Sequence, residues 1–137
     1  MTPLRYASPH HERTYRGITR NKGYPSTTLA ALFLLTSNRK LWRCWHKAVN
    51  DQGINWAAGR NRDPGEHACF LEQAAISIAC YGKPQVTLHD LTSSVDYPSE
   101  SLRLIVRALW IARTDRDVIT KIITFKKDGQ AHVTTTH

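Results

Sequence analysis

From Leu29 to Leu35 the chain reads LAALFLL, seven residues without a polar side chain and the longest apolar run in the sequence. With Ser26 as a cap before it, this stretch predicts a helix apolar on nearly every side and therefore buried. Ser37 marks a second helix start. In NRKLWRCWHKAVN, which follows, Leu41, Trp45, Ala48 and Val49 recur at helical spacing, and Arg39, Arg43 and Lys47 stand four apart on the opposite face. Trp42 and His46 lie beside that basic stripe. Gly53 ends the helix, and AAGRNR follows as a polar loop.

DPGE is the clearest local signal. Asp63 suits an N-cap, Pro64 the first helical position, and Glu66 can fold back to complete a capping box. The helix it starts runs through HACFLEQAAISIACY to Gly82 and Pro84, with Ala68, Cys69, Leu71, Ala75 and Ile78 expected to face the core. VTLHDL reads as a short strand or a helical turn. VDYPSESLRLIVRALWIAR predicts a fourth helix, with Leu102, Ile105, Val106 and Leu109 as its inner face and Arg103 and Arg107 on its outer one. Two β-prone runs, VITKIITF and QAHVTTT, flank the turn KKDG and predict a terminal hairpin. Two strands alone are marginal in water, so that hairpin should pack on the helices or on a partner.

Residues 1–25 hold Gly17, Gly23, three prolines and no period, and read as an arm that is ordered only when something binds it. The expected fold class is thus mainly α. A compact bundle of about four helices spans 26–117, between a basic N-terminal arm at 1–25 and a C-terminal β-hairpin at 118–137. A length of 137 residues suits one domain, and 41% hydrophobic residues suit a folded chain. The LAALFLL run is too short to span a membrane, and the N-terminus has no apolar core of a secretory signal, so no membrane partner is expected. Three cysteines, at 44, 69 and 80, imply no disulfide framework and fit a reducing cytoplasm.

Charge changes the picture once it is located. Of the net +8, residues 1–25 carry +4, residues 26–117 carry +2 and residues 118–137 carry +2. A near-neutral body with basic extensions suits contact with a polyanion or an acidic protein surface, although charge on a tail also serves solubility alone.

Cys44-x-His46 and His67-x-Cys69 raise the question of a metal. Residues two apart on a helix point about 200° apart, so neither pair can grip one ion, and no knuckle turn is present. No metal and no cofactor are expected. The cysteines lie inside predicted helices rather than at helix N-termini, where a thiolate would be stabilised. There is no nucleophile elbow and no phosphate-cradling glycine loop. HERTYR and LHDL place a His near an acid, which a nuclease can use but which chance also supplies. No catalytic residue and no small-molecule substrate are inferred.

The sharper idea is nucleic acid. Arg39, Arg43 and Lys47 on one face, Arg103 and Arg107 on another, and Arg13, Arg16, Arg20 and Lys22 on the arm form a set of candidate phosphate contacts. Such cations also line the outer face of any soluble helix. Four tryptophans suggest a protein interface as well. Trp45, Trp56 and Trp110 read as core, whereas Trp42 lies off the apolar face and is the candidate protein-binding residue.

LAALFLLTSNRKLWRCWHKAVNDQGINW, GEHACFLEQAAISIACYG and VTLHDL…SLRLIVRALWIAR together resemble a broad set of small uncharacterised helical proteins carried by bacterial chromosomes, prophages and plasmids. The resemblance covers about residues 29–113 and rests on apolar and turn positions rather than on a catalytic signature. It implies a compact helical adaptor, and no activity, cofactor or site residue comes with it.

The expectation is therefore a cytoplasmic protein that binds rather than catalyses, with nucleic acid or a nucleoprotein assembly as its first partner. The alternative is an inhibitor or adaptor encoded by a mobile element, such as an anti-defence factor, acting on a host or phage protein. An enzyme dependent on a metal or on the Cys/His pairs is the third reading.

Overall fold

The structure, a computed structural model, describes residues 5–59, 66–79 and 86–113. Among them the chain is mainly helical, with one small antiparallel sheet. Residues 118–137, where the hairpin is expected, and Asp63 and Pro64 of the capping signal lie outside the described residues.

Helix α1 (Pro9–Thr19) is a departure from the arm expected at 1–25. Ser8 caps it by accepting from the His11 N–H at 3.1 Å, and Pro9 occupies the first turn, where its missing N–H costs nothing. Its buried side is His11, Tyr15 and Thr19, which repeat every four residues. The period is present but is written in residues that a search for aliphatic side chains passes over. Thr19 bonds the Tyr15 carbonyl at 2.7 Å, and Asn21 then takes a left-handed φ of 60°, which turns the chain.

Helix α2 (Ser26–Leu35) is the axis of the fold. All seven residues of LAALFLL are buried, because α1, α5 and α6 and the start of α3 surround it. Ser26 is not a cap. It is the first helical residue, and its hydroxyl donates to the Ala112 carbonyl at 2.9 Å.

Helix α3 (Arg39–Trp45) is capped by Asn38, one residue after the expected Ser37, with the Leu41 N–H donating to Asn38 Oδ1 at 3.1 Å. It is also shorter than its period suggests. A 3₁₀ turn at His46–Ala48 breaks it, and strands β1 (Val49–Asn50) and β2 (Gly53–Ile54) follow in the register Val49↔Ile54 and Asn50↔Gly53. Gly53 has φ 134°, which side-chain-bearing residues rarely adopt, so the turn depends on it. The Tyr24 hydroxyl reaches the Asn50 carbonyl at 2.7 Å, and Lys22 pairs with Asp51, fastening this ribbon to the chain between α1 and α2.

Helix α4 (Trp56–Gly59) is one turn, placing the Trp56 ring 5.1 Å from Trp45, edge to face. Helix α5 (Glu66–Ala79) buries Ala68, Leu71, Ala74, Ala75 and Ile76, with Cys69 and Ile78 half-buried. VTLHDL holds a 3₁₀ turn at Asp90–Thr92. Helix α6 (Ser99–Arg113) corrects the expected orientation. Leu104, Ile105, Ala108 and Ile111 face inward, while Val106 and Leu109 are exposed, and so is Trp110, against the core position expected of it. The helix is apolar on both sides, so composition alone did not choose between them. None of the described helices is long and apolar enough to cross a membrane.

Candidate nucleic-acid interface

Burying His11, Tyr15 and Thr19 leaves the other side of α1 to Arg13, Arg16 and Arg20, all exposed. These stand at i, i+3 and i+7, on one side of the helix, with Gly17 among them. Together with Glu12 they line a shallow concavity of about 350 Å³. A methyl group on Gly17 would meet nothing within 4 Å, so the hollow is open down to the backbone. Arg16 is held in place by Glu12 at 3.1 Å and by the Tyr6 hydroxyl at 3.5 Å, with its guanidinium 5.8 Å from the Tyr6 ring centroid. The hydrogen bond to Tyr6 pushes the Arg16 pKa above its ordinary value. Of the three guanidinium groups beside the hollow, Arg16 alone is paired with the Glu12 carboxylate.

On α3, Arg39, Lys40 and Arg43 are exposed, and Lys47 is exposed on the 3₁₀ turn that follows. The stripe read from the sequence is therefore divided between a helix and the turn after it. Three ion pairs join described residues: Arg16–Glu12, Lys22–Asp51 and Arg103–Glu100. Arg13, Arg20, Arg39, Lys40, Arg43 and Lys47 are in none of them.

The remaining expected contacts are placed differently. The Asp51 carboxylate takes up Lys22 and raises its pKa through their hydrogen bond. Arg103 lies 3.4 Å from Glu100 on α6. Arg107 is half-buried and donates to the Arg5 carbonyl at 3.4 Å, tying the segment before α1 to α6. Trp42 is half-buried against the core, its ring 6.2 Å from that of His46.

Both local His–acid pairs serve the fold. His11 is fully buried between Tyr6 and Phe33. The Ala7 N–H donates to its Nδ1 at 2.8 Å, so the proton sits on Nε2, which donates to the Phe33 carbonyl at 2.7 Å. Burial pulls its pKa down to about 4. Asp90 accepts from the Thr87 N–H at 2.8 Å while its own N–H donates to Thr87 Oγ1, closing the turn before the 3₁₀ segment. Cys44 and Cys69 are half-buried, the latter accepting from Gln73 at 3.6 Å. Among the described residues no three His, Cys, Asp or Glu side chains cluster as metal ligands would.

The α1 hollow was not foreseen, although its arginine spacing together with Gly17 is visible once a helix is drawn there. The class that fold and surface define is a mainly helical protein whose α1 and α3 carry exposed cations that join no ion pair among the described residues. No protein-family model, characterised protein or solved structure matches the chain.

Proposed function

We propose that this is a small non-enzymatic accessory protein of the cytoplasm that holds the phosphate backbone of a nucleic acid, alone or within a nucleoprotein assembly, against α1 and α3. The observation that carries the reading is the set of six exposed cations on α1, α3 and its following turn that take part in no ion pair among the described residues. Phosphate contacts made by such groups release counterions and need no base-specific geometry. Preordering of Arg16 by Glu12 and Tyr6 reduces the entropy lost when an anion settles beside it.

The test is affinity for short single- and double-stranded DNA and RNA across a salt series. Wild type is compared with Arg39→Ala/Arg43→Ala/Lys47→Ala and with Arg13→Ala/Arg20→Ala. Each lost phosphate contact lowers the slope of log K against log salt by about 0.9 on a duplex, so the triple variant should flatten it by roughly two to three. Absence of binding near physiological salt, or slopes unchanged in both variants, overturns the proposal.

A further inference from the structure

We propose, resting on the phosphate reading for its cations, that the outer face of α3 takes single-stranded nucleic acid. An unpaired base stacks on Trp42 while Arg39 and Arg43 hold the phosphates beside it.

The face interleaves rings with cations. Trp42 stands three residues after Arg39 and one before Arg43, and His46 stands four after Trp42 and three after Arg43. His46 is the C-cap of α3 and keeps helical angles, φ −59° and ψ −33°, so the four side chains fall within about 100° around the helix. Leu41 and Trp45 point the other way and are fully buried. Trp42 is half-buried against the core, and by its position on the helix its accessible part lies on the side of Arg39, Arg43 and His46. Both rings are held before any ligand arrives. Core packing fixes the indole, and the His46 Nδ1–H donates to the Arg43 carbonyl at 3.1 Å, which fixes the imidazole. Their centroids are 6.2 Å apart with the planes inclined at 54°, so a base cannot slide between them as between parallel plates. It covers the open part of the indole instead, with the imidazole at its edge.

Charge selects the occupant. Between Glu12 and Asp51 the sequence holds no acid. Arg39, Lys40, Arg43 and Lys47 are all exposed and join no ion pair among the described residues. An aromatic anchor for a protein partner normally sits within a ring of neutral contacts that exclude water. Trp42 instead has guanidinium groups on both sides, and from Arg39 to Lys47 every exposed side chain is Arg, Lys or His. A polyanion with open ring faces fits that surface. In a duplex the base faces cover one another and only their edges reach the grooves, so the indole would find nothing to stack on. An unpaired strand offers phosphates and base faces together.

The test measures the affinity of the full chain for labelled strands of about 12 nucleotides: oligothymidylate, oligouridylate, an abasic strand that keeps every phosphate, and a duplex. The base-bearing strands should bind at least about fivefold tighter than the abasic one, the lower end of what one stacked base contributes. A margin seen with one sugar alone assigns the strand to DNA or to RNA. Trp42→Leu, which keeps an apolar side chain against the core, should erase the margin and leave duplex affinity unchanged, whereas Trp42→Tyr should preserve it. The comparison within wild type does not depend on any variant folding. Equal binding of base-bearing and abasic strands overturns the base contact and leaves the phosphate reading standing. Absence of binding to every strand and to the duplex overturns both. A margin that survives Trp42→Leu, or a duplex affinity that falls with it, also overturns the role given to Trp42.

Discussion

A single imidazole does much of the work of holding α1 to the fold. His11 is neutral and fully buried, so its contribution depends on pH in a direction fixed by burial. In the unfolded chain it takes a proton as the pH falls through its ordinary value of 6.5, whereas in the folded protein it resists until about 4. Protonation would also place a second N–H at Nδ1, against the Ala7 N–H that now donates to it. The neighbouring His10 and the Arg107 guanidinium oppose a second positive charge there, and the rings of Tyr6, Tyr15 and Phe33 offer no anion. Stability from His11 is therefore complete above pH 6.5 and lost between 6.5 and about 4, on the order of 3 kcal/mol in all. Urea midpoints measured across that range should fall for wild type and change much less for His11→Ala, which should itself be less stable at neutral pH. Gly17 allows an opposite kind of test. Its replacement by Ala adds a methyl into open space, so α1 should gain about 0.5–1 kcal/mol in thermal or urea melts. If phosphate enters the hollow down to the backbone, the same variant should bind nucleic acid more weakly despite melting later.

Among the elements, α2 has the least freedom to change. Leu32 is completely buried on a helix whose main neighbours are α5 and α6, and Leu32→Ala should cost about 2–5 kcal/mol in denaturant unfolding, since surrounding helices collapse only partly into the space. This helix, together with α3, α5 and α6, is legible in the sequence because each repeats aliphatic or aromatic side chains at helical spacing. Legibility fails where that premise fails. Helix α1 hides its period in His11, Tyr15 and Thr19: His11 and Thr19 are buried with hydrogen bonds to backbone carbonyls, and Tyr15 packs its ring against Tyr6, His11 and Phe33. Helix α6 has apolar residues on two faces, and only packing on α2 selects Leu104, Ala108 and Ile111 over Val106 and Leu109. The strands are two residues each and leave no alternation to read. As for the surface, Arg39 and Arg43 are readable from spacing alone, whereas the pairing of Lys22 with Asp51 and the turning-in of Arg107 are tertiary events.

At the scale of the whole molecule, the cations outside the observed ion pairs and the largest exposed apolar side chains lie on different parts of the chain. The exposed cations that join no ion pair among the described residues lie on α1 and on α3 with its following turn, while the carboxylates Asp90, Asp96 and Glu100 and the exposed apolar side chains Leu88, Val95, Val106, Leu109 and Trp110 come after α5. Added salt should therefore weaken polyanion binding, by screening and by counterion competition, without changing the packing of the apolar core.

The hydroxyl of Ser26 rests on a carbonyl 86 residues further along the chain, and the helix it begins finds its main neighbours in α5 and α6. During synthesis this has a temporal meaning. The most apolar segment leaves the ribosome before the side chains that will shelter it, which are completed only near Ile111. At about 5–20 residues per second, LAALFLL waits for several seconds with no permanent cover. A translational pause between α2 and α6 lengthens that exposure and should lower the yield of folded protein more than one placed after α6.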